Sequence, residues 1–162
     1  MIDETQRHAA RRLLDLCRAK ELHAVTAESC TGGLVAAALT AVPGSSAVVD
    51  RGFVTYSNEA KAEMLGVEMA LIERFGAVSE PVARAMAEGA LAHSRAQISV
   101  AVTGVAGPGG GSADKPVGLV HFAAARLDGT TLTRHHVFTG NRDAVRGQSV
   151  LAALALLTEI AG

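Results

Sequence analysis

The stretch HAVTAESCTGGLVAAALTAV, His23 to Val42, decides the fold. HAVTAE (23–28) reads as a short strand. LVAAALTAV (34–42) reads as a buried helix that Pro43-Gly44 brings to an end. Only SCTGG lies between them, so a strand hands over to a helix through a tight turn. If that alternation repeats downstream, the chain is an α/β protein.

It does repeat. Upstream, residues 3–20 have the spacing of an amphipathic helix, with Ala9, Leu13, Leu16 and Cys17 on one face and Asp3 with Gln6 as a capping box. Downstream, AVVDRGFVTYS (47–57) reads as strand and NEAKAEML (58–65) as helix, with Ser57 or Asn58 as its cap. A short helix is expected over 68–74. A longer one is expected over 79–93, where Ser79 caps, Pro81 sits in the first turn, and Val82, Met86 and Ala90 share a face. AQISVAVTG (96–104) is a buried strand, 104–118 a glycine-rich loop, and 117–125 strand again. Asp128-Gly129 turns a hairpin into 130–138, and a last helix runs from Asn141. No linker or repeat interrupts the pattern. The expectation is one domain over 1–162, a three-layer αβα sandwich around a mixed, partly parallel sheet.

Composition narrows the function classes. Of the 162 residues 49% are hydrophobic but only 3% aromatic, with no Trp, so the core is built from Ala, Val and Leu. A formal net charge of −1, with both signs interspersed, provides no footprint for a nucleic-acid backbone. Cys17 and Cys30 are too few for a disulfide framework and lack metal-ligand spacing. The N-terminal stretch is polar rather than signal-like, and the apolar runs look too short to span a bilayer. The expectation is therefore a cytoplasmic protein with no membrane or nucleic-acid partner and no metal.

In an α/β sheet ligands bind beyond the carboxyl ends of the strands. AESCTGG, the TYS–NEAK junction and TGVAGPGGG should all lie there. Two readings of AESCTGG are open: Ser29 or Thr31 caps a helix, or one of Ser29 and Cys30 is a nucleophile beside helix N–H groups that hold an oxyanion or a phosphate. A serine needs a base, and the six scattered histidines supply none. Lys61 falls in the first turn of its helix, where the macrodipole disfavours a positive charge and burial would depress its pKa. Tyr56, just upstream, is placed to orient Lys61 or Ser29. The glycine-rich loop is neither a P-loop nor a dinucleotide fingerprint, but it suits a backbone cradle for an anion. Arg142 opens the last helix, where a cation is electrostatically misplaced; either the neighbouring Asp143 compensates it or it faces an anionic ligand.

AESCTGG, GFVTYSNEAKAEMLGV, SEPVARAMAEGA, VAVTGVAGPGGGSADKPVGLVHFA and FTGNRDAVR, in that order over about Val25 to Arg146, resemble the CinA C-terminal domain family. The chain looks like a stand-alone member, without the molybdopterin-binding-like domain of the longer CinA proteins. The resemblance implies a nicotinamide-nucleotide amidase, which turns nicotinamide mononucleotide and water into nicotinic acid mononucleotide and ammonia. It implies Ser29 as nucleophile, Lys61 as general base, Tyr56 beside them, and Thr103 and Arg142 as polar site residues. Cys30, Thr31 and Gly32 at the helix start, Gly44 and Ser45 of the PGSS turn, and Gly107 and Gly109 of the glycine-rich loop are further candidates for substrate binding. No cofactor is expected, and the chain is expected to form a homo-oligomer. The competing class is a non-catalytic nucleotide-binding or interaction module linked to competence or DNA damage.

Overall fold

The computed structural model describes all of residues 1–162. In chain order the elements are α1 (Glu4–Ala19), β1 (Ala24–Glu28), α2 (Leu34–Thr40), a 3-10 turn (Ser45–Ala47), β2 (Val49–Val54), α3 (Asn58–Leu65), α4 (Met69–Phe75), α5 (Glu80–Ala92), β3 (Ile98–Gly104), β4 (Leu119–Arg126), β5 (Thr131–Val137) and α6 (Arg142–Ala161). The five strands form one open sheet in the order β2-β1-β3-β4-β5. β2, β1 and β3 run parallel, and β4 and β5 add antiparallel neighbours on one side. The mixed, partly parallel sheet expected from the sequence is what forms.

Small side chains set the layers. α1, α2 and α6 cover one face, packing Leu13, Leu14, Val35, Leu154 and Leu157 against Ile98, Val100, Val102 and Phe122 of the sheet. α3, α4 and α5 cover the other, where the sheet presents Val25, Ala27, Ala101, Ala123 and Ala125 to Met86 and its neighbours. Alanines on this face let α5 lie close to the strands. α3 comes closer still to α5: a Cβ on Gly89 would stand 2.0 Å from the Leu65 carbonyl oxygen, so only glycine fits there.

The local signals behave as chemistry requires at most helix starts. Asp3 and Gln6 form the reciprocal capping box of α1, and the Ser57 hydroxyl accepts the Ala60 N–H at the start of α3. Ser79 precedes α5 as expected, but its hydroxyl donates to the Gly76 carbonyl instead of capping the helix. The strand expected over 47–57 is shorter at both ends. The 3-10 turn consumes Ala47, and Thr55 and Tyr56 leave the sheet to lead into α3. One expectation needs correcting: α6, with 20 residues and a mean hydropathy of 1.3 over its most apolar window, is long and apolar enough to cross a membrane. Half of that window is buried in the fold, where α6 packs on the sheet and α1.

The topology also creates a crevice. From β1 the chain crosses over α2 to β2 on one side. From β2 it returns over the opposite face, by α3, α4 and α5, to β3 on the other side. Adjacent strands whose connections leave in opposite directions define a switch point, and the space beyond their carboxyl ends is where such sheets bind ligands.

Candidate active site

Ser29 follows the last residue of β1 and lies at that switch point, tied to β3 by its N–H donating to the Val102 carbonyl at 2.9 Å. Its hydroxyl is nearly buried but opens onto a cleft of about 310 Å³. That volume is at the small end for a small-molecule site. The cleft is lined by Ser29, Cys30, Lys61, Thr103, Gly107 and Arg142, with the exposed Tyr56 at its rim.

Lys61 is among the largest fully buried side chains in the protein, with 1% of its surface exposed. It stands fourth in α3, and a helical side chain leans back towards its own N-terminus, which aims the ammonium end at the strand ends. Nζ donates to Ser29 Oγ at 3.2 Å and to the Thr55 carbonyl at 2.9 Å. None of the ion pairs in the protein involves it. Burial without a carboxylate partner holds its pKa below the ordinary 10.5. A Cys30 thiolate would oppose that shift, but burial pushes the Cys30 thiol up to about 11, so at neutral pH no thiolate is present. The same shift leaves Cys30 a poor nucleophile.

Glu28, which sequence reasoning did not single out, organises the turn. Its carboxyl group is buried. Oε1 accepts the Thr31 hydroxyl at 2.6 Å and the Val35 N–H at 2.9 Å, and Oε2 accepts the Ala36 N–H at 3.1 Å. Thr31 is thus fully buried on Glu28 and does not line the cleft. This overturns the expectation that the start of the next helix holds an oxyanion. The Val35 and Ala36 N–H groups belong to Glu28, and the Leu34 N–H to the Thr31 carbonyl.

The other expected residues divide cleanly. Thr103 lies at the end of β3 with its hydroxyl donating to the Ala77 carbonyl at 2.9 Å. Arg142 reaches over the cleft, donating to the Gly107 carbonyl at 2.8 Å and to the Tyr56 hydroxyl at 3.1 Å. Tyr56 is 61% exposed, so its hydroxyl serves Arg142 at the rim and not Ser29 or Lys61. Gly107 and Gly109 line the cleft as expected. Gly32 does not: it sits in the turn at φ +58°, a conformation glycine adopts without strain, and packs against Arg146. Gly44 and Ser45 lie at the opposite end of the sheet. They precede β2, whose first residue pairs with Ala24 at the start of β1, whereas Ser29 follows the end of β1. A strand of this length puts roughly 15 Å between them.

Arg142 also separates this cleft from a second one of about 460 Å³, bounded by Pro108, Val117 and the first residues of α6. Arg146, one helical turn after Arg142, was missed as well. Its guanidinium donates to the Cys30 carbonyl at 3.1 Å and to the Thr31 carbonyl at 3.3 Å. The four-residue spacing that puts Arg142 and Arg146 on one face of α6 was visible in NRDAVR. Among the His, Cys, Asp and Glu side chains no group of three is placed to hold a metal ion.

Comparison with known proteins shows the family. The family model described as the CinA C-terminal domain matches residues 6–161, and the chain belongs to that family. Nicotinamide-nucleotide amidohydrolase PncC of Escherichia coli (strain K12) is 54% identical over 140 residues, which cover 86% of this chain and 85% of that protein. A CinA-like protein of Mycobacterium marinum is 58% identical over 132 residues, covering 82% of this chain but 31% of that longer protein. Among solved structures, the competence/damage inducible protein CihA of Agrobacterium tumefaciens superposes with a TM-score of 0.98 at 49% identity. That match covers 100% of this chain and 99% of the other.

Proposed function

We propose that this protein is a nicotinamide-nucleotide amidohydrolase that converts nicotinamide mononucleotide to nicotinic acid mononucleotide and ammonia, with Ser29 as nucleophile and Lys61 as general base. The observation that carries the reading is the buried contact of 3.2 Å between Lys61 Nζ and Ser29 Oγ, at the head of a cleft. The names of relatives at 54% identity supply the substrate.

The chemistry follows from the contacts. With its pKa depressed by burial, Lys61 has access to the neutral amine. Donation to the Thr55 carbonyl fixes the nitrogen and leaves its lone pair for the Ser29 proton. Ser29 Oγ adds to the carboxamide carbon, which the pyridinium ring makes electron-poor. The tetrahedral adduct collapses as Lys61 returns the proton to nitrogen, releasing ammonia and leaving an ester on Ser29. Water, deprotonated by Lys61, then cleaves the ester. Arg142 and the loop through Gly107 take the ribose phosphate end, which extends towards the second cleft. This chemistry requires no metal or cofactor. In this reading the protein acts in the cytoplasm, in pyridine nucleotide salvage, as a homo-oligomer and without a nucleic-acid or membrane partner.

The test is ammonia release from nicotinamide mononucleotide by purified protein treated with a chelator. Stoichiometric nicotinic acid mononucleotide supports the reading. Saturable binding of the mononucleotide without turnover would favour the non-catalytic module instead.

A further inference from the structure

We infer that Arg146 is a positioning residue for catalysis: it holds and polarises the Ser29–Gly32 turn so that the Cys30 N–H becomes the oxyanion donor. The inference rests on Ser29 as nucleophile. It extends the amidase reading by assigning the group that receives the developing negative charge.

The argument is one of elimination along the backbone. The Ser29 N–H is taken by Val102, the Gly32 N–H by the Ser29 carbonyl, and the Leu34 N–H by Thr31. Glu28 takes the next two, on Val35 and Ala36. The N–H groups of Cys30, Thr31 and Gly33 donate to no oxygen of the protein, and of these three residues only Cys30 lines the cleft. The Ser29 carbonyl, on the same peptide as the Cys30 N–H, accepts from the Gly32 N–H. The Thr31 carbonyl, on the same peptide as the Gly32 N–H, accepts from the Arg146 guanidinium.

Hydrogen bonds in a chain polarise one another, and a cationic donor on the carbonyl draws density from the N–H at the other end of the peptide. Arg146 reaches the Cys30 carbonyl as well, so one guanidinium fixes two successive peptides. Its planar fork suits that task, and a lysine could span only one of the two. Arg146 does not line the cleft, so it acts through the turn and not on the substrate.

Two readouts test this. The first is the rate at which Ser29 is labelled by a small alkyl phosphonofluoridate, followed by intact mass. In that reaction the Ser29 oxygen–phosphorus bond forms, fluoride leaves and Lys61 takes the proton, while the phosphoryl oxygen sits where the oxyanion would. The second is steady-state turnover of nicotinamide mononucleotide. Removing one oxyanion donor outright costs about 10²–10³ in kcat, so weakening a donor that remains present should cost ~10–100-fold. Arg146→Met is expected to lose that much in both labelling rate and kcat. KM and the position of the rising pH limb should stay as in the wild type. Arg146→Lys is expected to fall between, and it serves alone if the Met variant does not fold.

Wild-type labelling and kcat in Arg146→Lys would overturn the inference. So would a raised KM at unchanged kcat, which would make Arg146 a substrate contact, or a moved pH limb, which would make it a modulator of Lys61. Labelling also separates this inference from the amidase reading. Slow labelling of the variants, in a protein that leaves nicotinamide mononucleotide intact, would retain the role of Arg146 and remove only the substrate. Unchanged labelling alongside wild-type amidase turnover would remove only the role of Arg146.

Discussion

Lys61 Nζ lies 3.2 Å from Ser29 Oγ although 32 positions separate them in the chain. The contact exists because β1 and β2 lie side by side and parallel. The turn after β1 and the helix after β2 therefore emerge at the same edge of the sheet. Both partners are buried, and the amine has no counter-ion, so their interaction is set by geometry and desolvation and little by salt.

The neighbouring thiol makes the first prediction sharp. Burial raises the Cys30 pKa to about 11, which leaves it a packed, protonated side chain near neutral pH. Ser29→Ala should lose nearly all ammonia release from nicotinamide mononucleotide, and Cys30→Ala should retain most of it. The reverse pattern in a steady-state assay would move the nucleophile to Cys30.

Glu28 predicts a stability effect. Glu28→Ala strands the Thr31 hydroxyl and two N–H groups at the start of α2, all currently satisfied by one carboxyl group. Unsatisfied buried groups cost about 1–3 kcal/mol each, and partial relaxation brings the expected total to roughly 3 kcal/mol. At about 2–4 °C per kcal/mol for a chain of this size, Tm should fall by roughly 6–12 °C. Glu28→Gln keeps an acceptor oxygen and should lose less. Thermal unfolding by circular dichroism decides, and an unchanged Tm in Glu28→Ala would contradict the capping role.

These residues also mark where the sequence could and could not be read. Strand and helix identities were legible because the apolar periods and caps are local, as at Asp3 and Ser57. Ser29 and Lys61 were legible because each is chemically odd where it stands, a serine at a strand-to-helix turn and a lysine in a first turn. Glu28 was not, because its meaning depends on α2 folding back to place its N–H groups on the carboxyl. Arg146 was not, because its partners at Cys30 and Thr31 lie 116 and 115 residues away. Gly44 and Ser45 were misplaced because a PGSS turn looks alike at either end of a sheet. Which end it occupies depends on α2 carrying the chain back to the start of β1.

Arg142 predicts a split between substrates. Its guanidinium lines both clefts and donates to the Gly107 carbonyl and the Tyr56 hydroxyl. Nicotinamide riboside, which lacks the phosphate, should show a kcat/KM at least about tenfold lower than the mononucleotide, since hydrogen bonds to charged groups contribute about 1.5–3 kcal/mol. Arg142→Ala should erase most of that preference, mainly through KM. Equal kcat/KM for riboside and mononucleotide in the wild type would remove Arg142 from phosphate recognition.

Lys61 carries the last prediction, with a sign that can be worked out for both stability and catalysis. Its pKa is lowered in the folded protein from an ordinary 10.5, chiefly by burial. Between the lowered value and 10.5 the unfolded chain binds more protons than the native one, so stability rises with pH across that window. Below the window the full cost of burying the charge is present. Lys61→Met, close in volume and uncharged, should therefore be more stable than the wild type near neutral pH. Its advantage should shrink as pH climbs towards 10.5, as urea unfolding at a series of pH values would measure. The same depressed pKa sets catalysis, because the free amine is the base. The kcat/KM profile should rise with pH along a limb centred below 10.5, and Lys61→Met should abolish both limb and activity. Lys61→Arg should stay inactive, since a guanidinium keeps its proton at any working pH. An active Lys61→Arg protein with a flat profile would mean that the side chain supplies only positive charge, and the Ser29–Lys61 mechanism would fail.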